Sequence, residues 1–179
     1  MADAETMILP GDRGETPDQM IRVDHAGEYG AARIYAGQLA VMGNRTAVAA
    51  EIGRMKAQEQ RHLETFDRLI VARGVRPTLL QPIWHVAGYA LGAATALMGP
   101  KAAMACTVAV ETEIDRHYQS QRDALGSSDP KLSDHIADFQ AEEVEHRQTA
   151  TNHGGVAYPI LTSIIRAGCR VAIATAKRI

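Results

Sequence analysis

Two apolar stripes in this chain are each broken by a glutamate and a histidine three residues apart, and that break restricts what the chain can fold into. Ile52, Met55, Glu59, His62, Phe66 and Leu69 recur at spacings of three and four. Leu132, Ile136, Phe139, Glu143, His146 and Ala150 do the same. A stripe of this period is the core-facing side of a helix. A buried carboxylate costs several kcal/mol unless it is paired or coordinates a metal. Glu and His at i and i+3 share one helix face with Cβ atoms about 5–6 Å apart, so one cation can bind both. With 7 His and 11 Glu in 179 residues, chance places about 0.4 such pairs in the chain, so one pair alone carries little. Two, both inside apolar stripes, carry much more.

Two further helical stripes each hold a lone core carboxylate. One contains Ile21, Asp24, Glu28, Ala32, Tyr35, Leu39 and Met42; the other contains Met104, Val108, Glu111, Ile114, Tyr118 and Leu125. One Glu from each of two helices and Glu-x-x-His from each of two more is the ligand set of a di-iron four-helix bundle. The halves also repeat. Glu28, Arg33, Tyr35 and Gln38 match Glu111, Arg116, Tyr118 and Gln121 at equal offsets, and Ala57, Glu59, His62 and Thr65 match Ala141, Glu143, His146 and Thr149. A duplicated helix hairpin with pseudo-two-fold symmetry would set two metals side by side.

The rest of the chain fits an all-α, ferritin-like four-helix bundle with two additional apolar helices. No segment alternates apolar and polar residues as a half-buried strand does. Helices are predicted over 17–42, 46–73, 83–98, 100–125, from 130 to before Gly154-Gly155, and from 159 to the C-terminus. Thr16, Pro17 and Gln19 form the first start signal, and Gly43, Gly74 and Gly126 mark ends. Residues 1–15 read as a flexible, acidic tail, neither a secretory signal nor a transit peptide. Residues 16–179 read as one domain.

Net charge is −2, which gives no support to a nucleic-acid partner. The two cysteines, Cys106 and Cys169, form no Cys-x-x-Cys motif and read as buried residues of a reducing compartment.

Four carboxylates and two imidazoles favour paired iron or manganese over thiolate-bound zinc or calcium. Each metal would take a terminal Glu and a His, with Glu59 and Glu143 bridging. Without metal the four carboxylates should repel one another, and replacing Glu28 by Gln should relieve that strain. Residues 77–100 carry no charge and serve as the long crossover of such a bundle. They read as a membrane-facing or tunnel-lining helix with His85 at its centre, rather than a true span. The last helix places Arg166, Arg170 and Lys177 on one face. That face suits anionic lipid headgroups, or else is the solvated edge of a core-packed helix.

The segments IRVDHAGEYGAARIYAGQLAV, ACTVAVETEIDRHY, AEEVEHR and IIRAGCRVAI resemble the demethoxyubiquinone hydroxylase family, ferritin-like enzymes of ubiquinone biosynthesis. The resemblance runs from about Met20 to Ile179. It puts the family's ligands on Glu28, Glu59, His62, Glu111, Glu143 and His146. It implies two iron ions per chain, dioxygen as co-substrate and NADH as reductant. The implied reaction is hydroxylation of the ring of a polyprenylated quinol. Other ubiquinone-biosynthesis proteins are implied partners. The implied place is peripheral, on the cytoplasmic face of a bacterial inner membrane or the matrix side of the mitochondrial one. His117 and Tyr118 would orient a ligand or relay protons or electrons, and Asp24 would hydrogen-bond a ligand His; the alternative for all three is helix-surface pairing.

Three other readings use the same ligands. An iron store predicts a polar crossover, which is not found here. A peroxide-handling protein like rubrerythrin usually has a Cys-x-x-Cys donor, which is absent. A hydroxylase of modified tRNA would favour a basic surface.

Overall fold

The computed structural model describes residues 15–44 and 46–178. The expected tail, Glu15 apart, lies outside the described residues. Six helices follow in order: α1 (Pro17–Met42), α2 (Ala47–Arg73), α3 (Gln81–Leu97), α4 (Pro100–Leu125), α5 (Pro130–Asn152) and α6 (Pro159–Ala176). Among the described residues there is no strand. The fold is the expected all-α, ferritin-like bundle.

Local chemistry sets the helix ends. Thr16 Oγ1 accepts from the Gln19 amide at 3.3 Å, and Gln19 Oε1 accepts from the Thr16 amide at 2.9 Å, closing a capping box. Thr46 and Asp129 cap α2 and α5 in the same sense. Helix α2 stops at Gly74, whose φ of 64° is left-handed and cheap only for glycine. Helix α3 begins two residues before the expected 83, because Pro82 fits the first turn. A 3-10 turn at Gly155–Ala157, not foreseen, joins α5 to α6.

The long helices stack their side chains in three layers. Met20, Ile21, Phe66, Ile70, Tyr118, Leu125, Leu132, Ile136 and Phe139 pack at one end. Tyr35, Ile52, Met55, Met104 and Ala150 pack at the other. The ionisable residues of the four stripes lie between, so apolar layers close the polar one from both sides.

Helix α3 lies along α1 at very short range. A Cβ on Gly92 would collide with the Ile34 carbonyl oxygen, and one on Gly37 with that of Tyr89. The glycines of this uncharged segment are therefore contact surfaces. His85 is not central: it is exposed, and its Nδ1 sits 2.6 Å from Tyr29 Oη. Helix α6 runs against α4, where Glu113, only 4% exposed, meets Arg166 at 2.5 Å and Arg170 at 3.1 Å. Lys177 pairs with Glu15 at 2.9 Å. Glu113 and Glu15 thus anchor the basic face of α6, while the single Glu113 carboxylate, shared by Arg166, Arg170 and Arg116, leaves that face net positive.

Candidate metal centre

The middle layer brings together all six residues singled out as ligands. Glu28, Glu59, His62 and Glu143 form one group, and Glu59, Glu111, Glu143 and His146 the other; within each, the potential ligand atoms lie within 4.8 Å of one another. Glu59 and Glu143 are common to both, as bridging carboxylates would be. His62 Nδ1 is 3.1 Å from Glu143 Oε1 and 3.3 Å from Glu28 Oε2. His146 Nδ1 is 3.0 Å from Glu143 Oε2 and 3.3 Å from Glu59 Oε1. All six are buried.

The residues fit a pair of divalent ions. Both carboxylate oxygens of Glu59, with Glu111 Oε2 and Glu143 Oε1, are buried and receive no well-aligned hydrogen bond, although His62 and His146 Nδ1 lie close to two of them. Buried polar atoms are nearly always satisfied, so four such oxygens on one point mark acceptors shaped for cations. Four carboxylates also balance two divalent charges.

The electrostatics carry the same mark. Burial, then the charges of neighbouring carboxylates, pushes Glu59 and Glu111 well above the usual carboxylate range. Glu143 is raised too, chiefly by burial. Burial lowers His62, but hydrogen bonds and charges from Glu143 and Glu28 outweigh it and lift it to about 10. His146 is lowered, first by burial. Glu28 behaves differently. Burial would raise it, yet hydrogen bonds with His62, Glu59 and Tyr118 and the charge of His62 hold it below the normal value. Burial and mutual charge thus push Glu59, Glu111 and Glu143 upward while His62 and Tyr118 hold Glu28 low, which favours Glu111→Gln over the expected Glu28→Gln as the exchange that relieves the cluster.

The repeat becomes geometry here. Tyr118 Oη donates to Glu28 Oε1, and its counterpart Tyr35 donates to Glu111 Oε1 at 2.5 Å. Each tyrosine fixes the lone Glu of the other half. Tyr35 had a sequence signal, since it repeats Tyr118, but only Tyr118 was singled out. Asp24 does not reach a ligand His, as was expected of it. Its Oδ1 accepts from Gln121 Nε2 at 2.8 Å and lies 3.4 Å from His117 Nε2, while Oδ2 has no partner. Burial raises Asp24 to about 6, against the hydrogen bond and charge of His117. Gln58 and Glu142, absent from the sequence reading, stand behind the two ligand histidines.

An apolar cavity of about 380 Å³ opens beside this layer, between α1, α3, α4 and α6. Trp84, Leu91, Ile165, Cys169 and Ile173 line it. Cys169 is thus a half-buried wall residue, while Cys106 is fully buried. Ala31, Ile34 and Val110 line the cavity wall and, on their other side, a crevice beside Glu111 and Tyr35 too narrow to hold a water molecule. Outside the cavity, α3 and α6 expose Ile83, Val86, Leu97, Ile160 and Val171. Among the described residues, α6 is the one helix long and apolar enough to cross a membrane.

Comparison with known proteins places these features in context. Residues 15–176 match the family model described as "Ubiquinone biosynthesis protein COQ7". The chain is 51% identical over 176 residues to "3-demethoxyubiquinol 3-hydroxylase" of Rhodospirillum rubrum, covering 96% of this chain and 83% of that protein. It is 52% identical over 169 residues to "NADPH-dependent 3-demethoxyubiquinone 3-hydroxylase, mitochondrial" of Homo sapiens, covering 90% and 77%. It is 42% identical over 198 residues to "5-demethoxyubiquinone hydroxylase, mitochondrial" of Saccharomyces cerevisiae, covering 100% and 82%.

Proposed function

We propose that this chain, which belongs to the ubiquinone biosynthesis protein COQ7 family, hydroxylates the ring of a polyprenylated demethoxyubiquinol with dioxygen at a pair of irons. The chain is a hydroxylase, an oxidoreductase, like its relatives. The carrying observation is the apolar cavity, whose wall residues Ala31, Ile34 and Val110 also border Glu111 of the carboxylate layer. The cavity would take the isoprenoid tail, where each buried methylene is worth about 0.8 kcal/mol, and the quinol ring would reach Glu111 by displacing that wall.

In this reading Glu28 and His62 would hold one iron and Glu111 and His146 the other, with Glu59 and Glu143 common to both groups. Ferrous ions there would supply the electrons that split dioxygen, one oxygen atom entering the ring and the other leaving as water. Tyr118 and Tyr35 hold the terminal carboxylates in place, and the apolar layers above and below keep water out. His117 and Tyr118, about two turns beyond Glu111 on α4, would pass protons or electrons. The ultimate reductant is a reduced nicotinamide nucleotide. The resemblance implied NADH, whereas the human relative's name specifies NADPH.

The exposed apolar faces of α3 and α6 lie beside the cavity, so the quinol enters from a membrane on which the chain rests peripherally. Its human and yeast relatives are named as mitochondrial. For this chain the surface is the cytoplasmic face of a bacterial inner membrane, or the matrix face in a eukaryotic cell. Other ubiquinone-biosynthesis proteins are its expected partners there.

Two experiments test this. Purified protein should hold close to two irons, and Glu59→Ala or Glu143→Ala should lose iron and hydroxylation together. Retention of both irons and full turnover in either variant defeats the ligand assignment. The cavity and the surface can also be separated. Leu91→Glu, inside the cavity, should cut use of long-tailed quinols and spare liposome binding. Ile160→Glu, on the exposed face, should weaken liposome binding and spare turnover of a short-tailed quinol in detergent. Equal loss of long- and short-tailed substrates in Leu91→Glu, with loss of iron, would make that wall a core element and end the corridor reading.

A further inference from the structure

Behind each candidate ligand histidine the structure places a different acceptor. His62 Nε2 faces Glu142 Oε2 at 3.2 Å, across the bundle from α2 to α5. His146 Nε2 faces Gln58 Oε1 at 3.1 Å, across from α5 to α2. Gln58 and Glu142 occupy one repeat position, directly before Glu59 and Glu143. The pseudo-two-fold therefore preserves the contact and changes its chemistry, amide on one side and carboxylate on the other.

The surrounding donors settle which atoms face which. Arg54 Nη1 can only donate, and it donates to Gln58 Oε1 at 2.9 Å. Glu142 Oε2 accepts from Gln58 Nε2 at 2.9 Å. The Gln58 amide thus has one orientation, with its oxygen toward His146. With an ion in the layer, each histidine would donate from Nε2 and turn the lone pair of Nδ1 toward the ion. Each acceptor also carries one arginine, Arg61 on Glu142 and Arg54 on Gln58. The two arrangements differ mainly in the acceptor itself.

A carboxylate accepting from an imidazole N–H makes the opposite nitrogen a stronger donor than an amide does, because the hydrogen bond is charge-assisted. We infer that Gln58 and Glu142 are positioning residues that make the two metal sites unequal, the site of His62 and Glu28 binding its ion more tightly than the site of His146 and Glu111. The inference rests on the reading of the layer as a two-metal centre. An unequal pair fills in order, and it places the more electron-rich ion away from Glu111, the carboxylate nearer the cavity wall.

The test is a titration of the full-length, metal-free protein with ferrous iron under anaerobic conditions against a competing chelator. Wild type should bind in two steps separated by about 10- to 100-fold, the range that outer hydrogen-bond partners of ligands commonly command. Glu142→Gln should weaken the tight step and merge the two. The double exchange Gln58→Glu with Glu142→Gln, which keeps one amide against one carboxylate, should reverse the two steps. With one equivalent of iron-57, Mössbauer spectra should show one quadrupole doublet in wild type and two of similar area in Glu142→Gln. Unchanged circular dichroism would show that the exchanges, each copying the residue already used in the other half, leave the helices intact. Two equal steps in wild type, or a tight step unmoved in Glu142→Gln, overturns the inference and leaves the two-metal reading standing. No iron bound by wild type overturns both.

Discussion

Asp24 shows how one buried group makes a pH-dependent element of stability. It is 2% exposed, and burial raises it from 3.8 to about 6 despite the His117 contact. A carboxyl raised on folding binds its proton more tightly in the folded chain. Its contribution is therefore fully present below about pH 4 and is lost as pH rises through about 6. The difference of about two units corresponds to roughly 2–3 kcal/mol. Asp24→Asn keeps the acceptor for Gln121 and cannot ionise. In metal-free protein, urea titrations should find wild type and Asp24→Asn similar near pH 4 and the variant more stable above pH 6. A constant gap across that range would mean that Asp24 is already ionised when folded.

Among the helices, the α1–α3 contact depends on glycine to a degree that composition alone does not reveal. Gly92 and Gly37 sit against backbone, which cannot step aside, whereas Gly53 in α2 has nothing near its missing Cβ. Gly92→Val should destabilise by about 2 kcal/mol or more through overpacking. Gly53→Ala should stabilise by up to about 1 kcal/mol through helix propensity. Thermal melts of the two variants give the comparison, and a neutral Gly92→Val would mean that α3 can move off α1. The same helix shows what a sequence conceals. Its length and lack of charge were legible, but whether its small residues met backbone, lipid or cavity was not. That choice is made by α1, some 50 residues away in the chain.

For the whole molecule, the central polar layer would couple bound metal to stability. A metal held by the folded chain alone would stabilise it by mass action, about 2.7 kcal/mol at a hundred-fold excess over Kd. Stripping iron should therefore lower Tm. Glu111→Gln should recover part of the loss, because Glu111 is a carboxyl that burial and Glu143 push upward, and Glu28→Gln should not, because Glu28 is held low by His62 and Tyr118. Calorimetry of the three metal-free proteins decides this, and a gain from Glu28→Gln alone would reverse the assignment of strain.

What the sequence determined by itself was the set of residues that share a helix face. Period and burial cost depend only on local spacing, so the Glu-x-x-His pairs, the lone Glu28 and Glu111 and the helix caps could all be read from the chain. The internal repeat even implied the pairing of halves. Tertiary structure decided what meets across the bundle, because such contacts depend on axial register and crossing angle, which no local spacing encodes. It brought Glu142 to His62 and Gln58 to His146, turned Asp24 toward Gln121 instead of a ligand His, and anchored the cations of α6 on Glu113 and Glu15.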